Sequence, residues 1–388
     1  MKVLFLTHSF PRFEGDAPGS FLLRLAVALR ETDIQVHVIA PAAPDVPPTD
    51  DFQGITVERF RYAPARYETL AYTGNMAQDV ATSWPARFAL AGFLSSELAR
   101  SMNARRAFTP DVIHAHWWFP SGVVARWLST VSGLPLVTTL HGTDVRLALA
   151  IRASRPLFRD VMRKSGRVTA VSSWLAQQVM DLGSARPAAV APMPVAVERF
   201  QPGDKRDSDR LLFAGRLNEQ KGLHHLLPAL AAMRRRVYLD VVGDGASRAE
   251  LRELASKLAI ADRVTWHGQL DQPSLVHHYQ QATAVVVPST DEGLGLVAAE
   301  ALLCETPVIA FRSGGLVDVV KHGETGILVT PGETTELAAA LDRVFDAPDE
   351  MAVMAKAGRA FVLGAFSPES AAQTYSTIYR ELTGNRAA

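Results

Sequence analysis

Along the chain, short apolar runs alternate with longer stretches in which apolar residues return every three or four positions. KVLFLTHSF at the start predicts a buried strand; after the loop PRFEGDAPGS, positions 21–30 carry a helical pattern. IQVHVIAP (34–41) and ITVERF (55–60) predict two more strands, followed by DVIHAHW (111–117), LVTTLHG (136–142) and RVTAVSS (167–173). From 189 to 202 the chain turns proline-rich, and a polar patch, DKRDSD, follows. Beyond it the alternation starts afresh with LLFAGRL (211–217), YLDVVGDG (238–245), RVTWHGQL (263–270), TAVVVPST (283–290) and PVIAF (307–311), with helical patterns between them. Strands separated by helices predict open, mostly parallel sheets whose carboxyl-end loops gather along one edge. The expected fold is therefore α/β, with two Rossmann-like domains facing each other across a cleft. The expected boundaries are 1–190 and 191–365. Residues 366–388 form an amphipathic helix, with Ala372, Tyr375, Ile378, Tyr379 and Leu382 at helical spacing, that packs back on the first domain.

Length agrees with this division, because 388 residues exceed what one ordinary core accommodates. A hydrophobic content of 48% and a charged content of 21% belong to a soluble globular protein. Net charge is zero but unevenly placed: residues 1–195 hold 20 basic and 15 acidic side chains, and residues 196–388 hold 20 and 25. A neutral total predicts no nucleic-acid partner, and the basic first half suggests that it faces something anionic. The lone Cys304 permits no intramolecular disulfide and no cysteine-based metal site, which fits a reducing cytoplasm. There is no signal-peptide pattern and no run of 18 apolar residues, so a cytoplasmic protein is expected.

Candidate chemistry gathers in the second half. In PSTDEGLGLVAAEALLC (288–304), Glu292 falls in a glycine-containing turn after a strand and Glu300 in the following helix, so both can meet one ligand. Gly293 and Gly295 let the backbone approach that ligand, beside a helix amino end suited to phosphate. In GRLNEQKG, Arg216 and Lys221 place two cations between a strand and a helix, flanked by Gly215 and Gly222, as a diphosphate requires. A Walker phosphate loop and a G-x-G-x-x-G fingerprint are both absent. Gly243 and Asp244 end another strand and read equally as a plain turn. His141 ends a strand of the first half, with His8, His114 and His116 as alternatives at neighbouring tips. His114 and His116 are expected on opposite strand faces, and the adjacent His277 and His278 diverge on a helix, so no metal site is expected. The D-x-D of Asp207, Ser208 and Asp209 reads as solvated linker.

Taken in order, GRLNEQKG, VVGDG, HGQL and PSTDEGLGLVAAEAL closely resemble the donor-binding half of the retaining glycosyltransferases of family 4, which have the GT-B fold. The resemblance extends to the first half through THSFPRFEGDAPGSF, TLHGTD and AVSS. It implies that Arg216 and Lys221 bind the donor diphosphate, Glu300 the ribose hydroxyls and Glu292 the sugar hydroxyls. It implies further that Gly293, Leu294, Gly295 and Leu296 line the sugar and phosphate pocket, and that the residues from His267 through Gly268, Gln269 and Leu270 face the base. Gly215, Gly243 and Asp244 border the same site. His141 matches a histidine near the donor sugar, and Gly19 falls near a glycine loop at the phosphates. Two departures stand out. The opening loop has Pro18-Gly19 in place of a Gly-Gly pair, and Pro192-Met193-Pro194 replaces a Pro-Asn-Gly near the linker.

The implied activity is a retaining, metal-independent transfer of a sugar from a UDP- or GDP-sugar to a glycan, lipid-linked or small-molecule acceptor, with no cofactor. Two alternatives remain: a nucleotide-sugar epimerase of the same fold, and a non-catalytic sugar-binding protein. Between 146 and 167 the chain carries six arginines and Lys164 against Asp160 alone. Arg152, Arg155, Arg159 and Arg163 share one face if that segment is helical. Together with the apolar stretch at 84–106, this predicts a peripheral contact with the inner face of an anionic membrane.

Overall fold

A computed structural model describes residues 1–72, 76–204, 206–207 and 209–384. The chain divides into two compact units: Met1–Pro194 with Pro368–Ala388, and Val195–Ser367. Each unit is a sheet covered by helices.

In the first unit, the strands are β1 (Lys2–Leu6), β2 (Gln35–Pro41), β3 (Thr49–Phe52), β4 (Ile55–Phe60), β5 (Val112–His116), β6 (Leu136–Leu140), β7 (Arg167–Ala170) and β8 (Ala189–Val190). They lie in the order β3-β4-β2-β1-β5-β6-β7-β8, and the pairings are parallel except that of β3 with β4. Strands β5 and β6 are buried at every position, so His114, His116, Thr138 and Thr139 are enclosed with the apolar residues between them. The polar TDDF of β3 gives no strand signal. It is held only as an antiparallel edge on β4. The helix Pro368–Gly384 belongs to this unit: Tyr379 Oη lies 2.6 Å from His114 Nδ1, and Tyr375 Oη donates to Ala191 O at 3.2 Å. Burying Ala371, Ala372, Tyr375, Ile378 and Tyr379 removes the apolar face of that helix from water.

The second unit holds β9 (Arg210–Ala214), β10 (Tyr238–Val242), β11 (Val264–Gly268), β12 (Ala284–Val287), β13 (Val308–Phe311) and β14 (Ile327–Val329), all parallel, in the order β11-β10-β9-β12-β13-β14. The strand order reverses between β9 and β12, and the loops leaving these two neighbours lie side by side at their carboxyl ends, where open α/β sheets meet their ligands. The same reversal occurs between β1 and β5 in the first unit. Leu211, Phe213, Leu239, Val241, Val286 and Ile309 form the centre of the second core, with the helix Leu223–Ala232 packed on it.

Two expectations change. His114 and His116 share one face, with rings 4.0 Å apart, because residues two apart on a strand repeat its period. The basic face at 152–163 does not form as one helix. Residues Arg152–Ser154 are a short 3-10 turn, and the helix runs Arg155–Lys164. Arg155, half-buried, donates to Ala148 O and Leu149 O, and Arg159, still exposed, donates to Leu182 O, so both guanidiniums are tied to carbonyls at helix ends. Asp207 is half-buried in the second unit, its amide bonded to Gln281 O at 2.8 Å and its carboxylate 3.5 Å from Arg210. Ser208, the middle of that D-x-D, lies outside the described residues.

Candidate functional site

At the strand reversal of the second unit, the loop after β9 and the loop after β12 press together. Gly222 has φ +73°, and a Cβ there would stand 1.9 Å from Pro288 O, so only glycine permits this approach. Gln220 fastens the two loops: its carbonyl accepts from Thr290 N at 2.9 Å, and its amide nitrogen donates to Asp291 O at 3.2 Å. Asn218 Oδ1 accepts from the Lys221 amide at 3.1 Å and fixes the turn that presents the lysine.

The consequence is a direct ion pair between Lys221 Nζ and Glu292 Oε1. Both groups are largely buried, so the pair is shielded from solvent. Arg216 is exposed and makes no side-chain hydrogen bond or ion pair with any described residue. Beside them the helix Leu296–Leu303 starts at Gly295, whose φ is +97°. Ala298 and Ala299 donate to Gly295 O, which leaves the amides just before them directed out of the helix end. Gly315 N donates to Glu292 O at 2.7 Å, so a third loop, after β13, holds the glycine turn from behind.

Glu300 stands on the same helix and accepts from Tyr279 Oη at 2.9 Å. Burial, with the nearby carboxylate, pushes the Tyr279 phenol well above its ordinary value, so it remains a donor. Asp244 turns inward on its own loop, accepting from Gly245 N at 2.8 Å and pairing with Arg248 at 2.7 Å. Gly243 N donates to Gly268 O at 2.7 Å, which ties the ends of β10 and β11; Gly268, Gln269 and Leu270 follow as a half-exposed to exposed segment. Gly215, Arg216, Lys221, Glu292, Gly293, Leu294, Gly295, Leu296 and Glu300 thus lie on the two loops after β9 and β12 and the helix that follows, with Gly243, Asp244 and 268–270 at the neighbouring strand ends. Sequence reasoning missed Asn218, Gln220 and Tyr279, whose roles arise from contacts with distant loops.

The first unit builds a different edge. His141 Nε2 lies 3.3 Å from His116 Nδ1, and its ring stacks at 4.2 Å on Trp117, which lies 4.3 Å from His8. Burial pushes His8 down to about 4 and His114, His116 and His141 well below the usual imidazole range, reinforced among the last three by neighbouring imidazoles. These rings are neutral at pH 7. Asp144 explains the motif TLHGTD: its buried carboxylate accepts from the amides of His141 at 3.1 Å, Gly142 at 3.0 Å and Trp118 at 3.1 Å. Gly19, at φ +72°, starts the helix Ser20–Arg30 against Ser9, and the loop before it is closed by Arg12 and Asp16 at 2.7 Å.

Two open parallel sheets with charged loops at one strand reversal are the architecture of a GT-B glycosyltransferase. Comparison with known proteins agrees: residues 195–361 match the model of glycosyl transferases group 1, and residues 19–199 that of glycosyltransferase family 4. The D-inositol 3-phosphate glycosyltransferase of Thermobispora bispora is 32% identical over 95% of this chain and 90% of its own. Glycogen synthase of Mycobacterium tuberculosis is 27% identical over 98% and 94%. Among solved structures, sucrose-phosphate synthase from Thermosynechococcus elongatus superposes with a TM-score of 0.81 at 23% identity, covering 99% of this chain and all of that one. Anabaena Alr3699/HepE in complex with UDP gives 0.73 at 22%, covering 98% and 100%. The chain belongs to the family 4, group 1 glycosyltransferases.

Proposed function

We propose that the protein moves a sugar, with retention of anomeric configuration and without a metal, from a nucleoside diphosphate sugar bound by the second unit to an acceptor hydroxyl. The observation that carries this reading is the Lys221–Glu292 pair beside exposed Arg216 and the helix end at Leu296. The donor diphosphate takes Lys221 from Glu292, and the freed carboxylate accepts from sugar hydroxyls. Arg216 adds the second positive charge. Glu300, held by Tyr279, accepts from the ribose. Transfer breaks the anomeric C–O bond, and the bonding pair leaves on the diphosphate, where both cations and the helix amides stabilise it. The acceptor oxygen forms the new bond on the same face, and its proton passes to the departing phosphate oxygen. Neutral His141 fits a hydrogen bond to the sugar in place of a charge. Gly19 is assigned to the phosphate side on the same reading.

For the acceptor, the relatives named for D-inositol 3-phosphate make that compound the first to assay, and the UDP complex of Anabaena Alr3699/HepE makes UDP-sugars the first donors. Release of nucleoside diphosphate from a panel of UDP- and GDP-sugars is measured with and without acceptors. Acceptor-dependent release supports transfer. Isomerised donor without acceptor supports the epimerase, and tight binding without turnover supports a sugar-binding protein.

Cytoplasmic residence with a peripheral membrane contact is part of the same proposal, and no described helix is long and apolar enough to cross a bilayer. Its support moves from the arginines at 155 and 159 to an aromatic surface. Trp84 and Phe88 are 69% and 74% exposed and border an apolar hollow of about 410 Å³ with Tyr62, Pro64 and Tyr67. Arg87 lies over Trp84 and Arg66 over Tyr67, the pairing of apolar body and cation that an anionic interface accepts. Co-sedimentation with anionic vesicles should drop on Trp84→Ala with Phe88→Ala, and equal pelleting of that variant sinks this contact.

A further inference from the structure

A second cluster lies on the face of the second unit's sheet away from the hydrophobic centre, and it draws His267, expected at the base, to Asp240 instead. Along β10, Leu239 and Val241 face the core, so Asp240 must face the other way, toward the helix Gln272–Gln281. Strand β11 shifts register against β10 where Val241 pairs Trp266 but Val242 pairs Gly268, which leaves His267 as the extra residue of a bulge. Bulges re-aim side chains, and here His267 Nε2 comes 2.7 Å from Asp240 Oδ1. From the helix, His278 brings its ring to 4.5 Å from that of His267. One ligand atom from each of the three lies within 4.8 Å of the others. They line a cavity of about 280 Å³ together with Asp207, Arg210 and Gln281.

We propose that Asp240, His267 and His278 bind one divalent transition-metal ion of the zinc type, with water in the remaining position on the cavity side. Two imidazoles and one carboxylate suit zinc, at about 2.0–2.1 Å per bond, so ligand atoms stand roughly 3.0–3.4 Å apart. From the present arrangement, His267 and Asp240 part by a few tenths of an ångström, and His278, half-buried on its helix, swings inward. The ion takes the lone pair of His267 Nε2, whose proton moves to Nδ1 or to solvent. Arg210, 3.1 Å from both carboxylate oxygens of Asp240, holds that ligand in place, as outer partners of metal ligands do. Its positive charge is offset by Asp207 at 3.5 Å. A filled site fastens the end of β11 to the helix that follows it.

The test uses the full chain, free of any polyhistidine tag and stripped with chelator. Zn²⁺ is titrated calorimetrically, Co²⁺ is followed by its visible absorption, and Tm is recorded with and without Zn²⁺. One equivalent per chain with a raised Tm is expected. His278→Ala and His267→Ala should each weaken binding on the order of 100-fold, and His277→Ala should leave it unchanged. Both ligand variants alter partly exposed residues, so their unliganded Tm should stay close to that of the parent. Unaltered affinity in either ligand variant, loss of binding in His277→Ala, or no saturable binding below millimolar Zn²⁺ overturns the assignment. None of these readouts depends on sugar transfer, so the site stands or falls apart from the proposed reaction.

Discussion

The two units share six parallel strands in one order around one kind of reversal, the first adding β3 and β8 at its edges, yet they furnish that reversal with opposite chemistry. At β9 and β12 the edge carries opposite charges in contact, Lys221 with Glu292, and an exposed Arg216. At β1 and β5 it carries stacked neutral rings: His8, Trp117, His116 and His141. A shared fold therefore fixes where a ligand is met and leaves open what it is met with. Charge at one edge suits a group that leaves as an anion, and burial at the other keeps imidazoles uncharged.

The sharpest break of this contrast is removal of the cations. Lys221→Ala and Arg216→Ala should each reduce kcat by about 10² to 10³, as loss of one stabilising donor does. Steady-state turnover with a saturating donor measures it, and a full rate at unchanged Tm would leave these side chains without a catalytic part. A second contrast is titration. Glu97 in the first unit is wholly buried, with no cation among the described residues beside it and only the Ser121 hydroxyl close enough to favour its charged form. Burial raises its pKa to about 8. A raised folded-state value means that the folded protein holds the proton more tightly, so stability is greatest at low pH and falls as pH rises toward 8. The slope is at most about 1.4 kcal/mol per pH unit and flattens near pH 8, giving about 2 kcal/mol between pH 6 and 8. Denaturant unfolding should show Glu97→Gln gaining on the parent over that window; parallel curves would disprove the burial of a protonated acid.

The histidines act in the opposite sense. Their folded-state pKa values lie below the unfolded value, so each contributes stability above about pH 6.5 that is lost as pH falls, toward about 4 for His8. Below pH 6.5 these histidines and Glu97 pull stability in opposite directions. Imidazole resonances followed by NMR give the individual values, and a His8 titrating near 6.5 would refute its burial. The smallest effect is expected from Tyr279→Phe. Losing the bond to Glu300 should raise the donor KM up to about tenfold with kcat nearly constant, because a ribose contact acts equally in ground and transition states. A fall in kcat alone would move Glu300 from binding to chemistry.

Much of this was legible in the residues themselves. The period of apolar positions located eleven strands, the restart of the alternation after the proline-rich stretch separated two sheets, and glycines beside charges marked the loops after β9 and β12. These signals are local, since strand period, helix period and turn chemistry each act within a few residues. The edge strand β3 gave no such signal, because pairing with β4 and not its own TDDF makes it a strand. The expected basic face failed for a related reason: Arg155 and Arg159 found carbonyls on other helices that spacing cannot reveal.

What the tertiary structure alone decided is which side chains meet. Lys221 and Glu292 are 71 residues apart and touch because β9 and β12 are neighbours; Tyr279 reaches Glu300, and Asp240 gathers His267 and His278, from separate elements. Periodicity places a residue on a face, whereas strand order and the crossing of helices over the sheet place that face against another. The charges and ligands of this protein were therefore written in its sequence, but their partners were set by long-range packing, which no local pattern encodes.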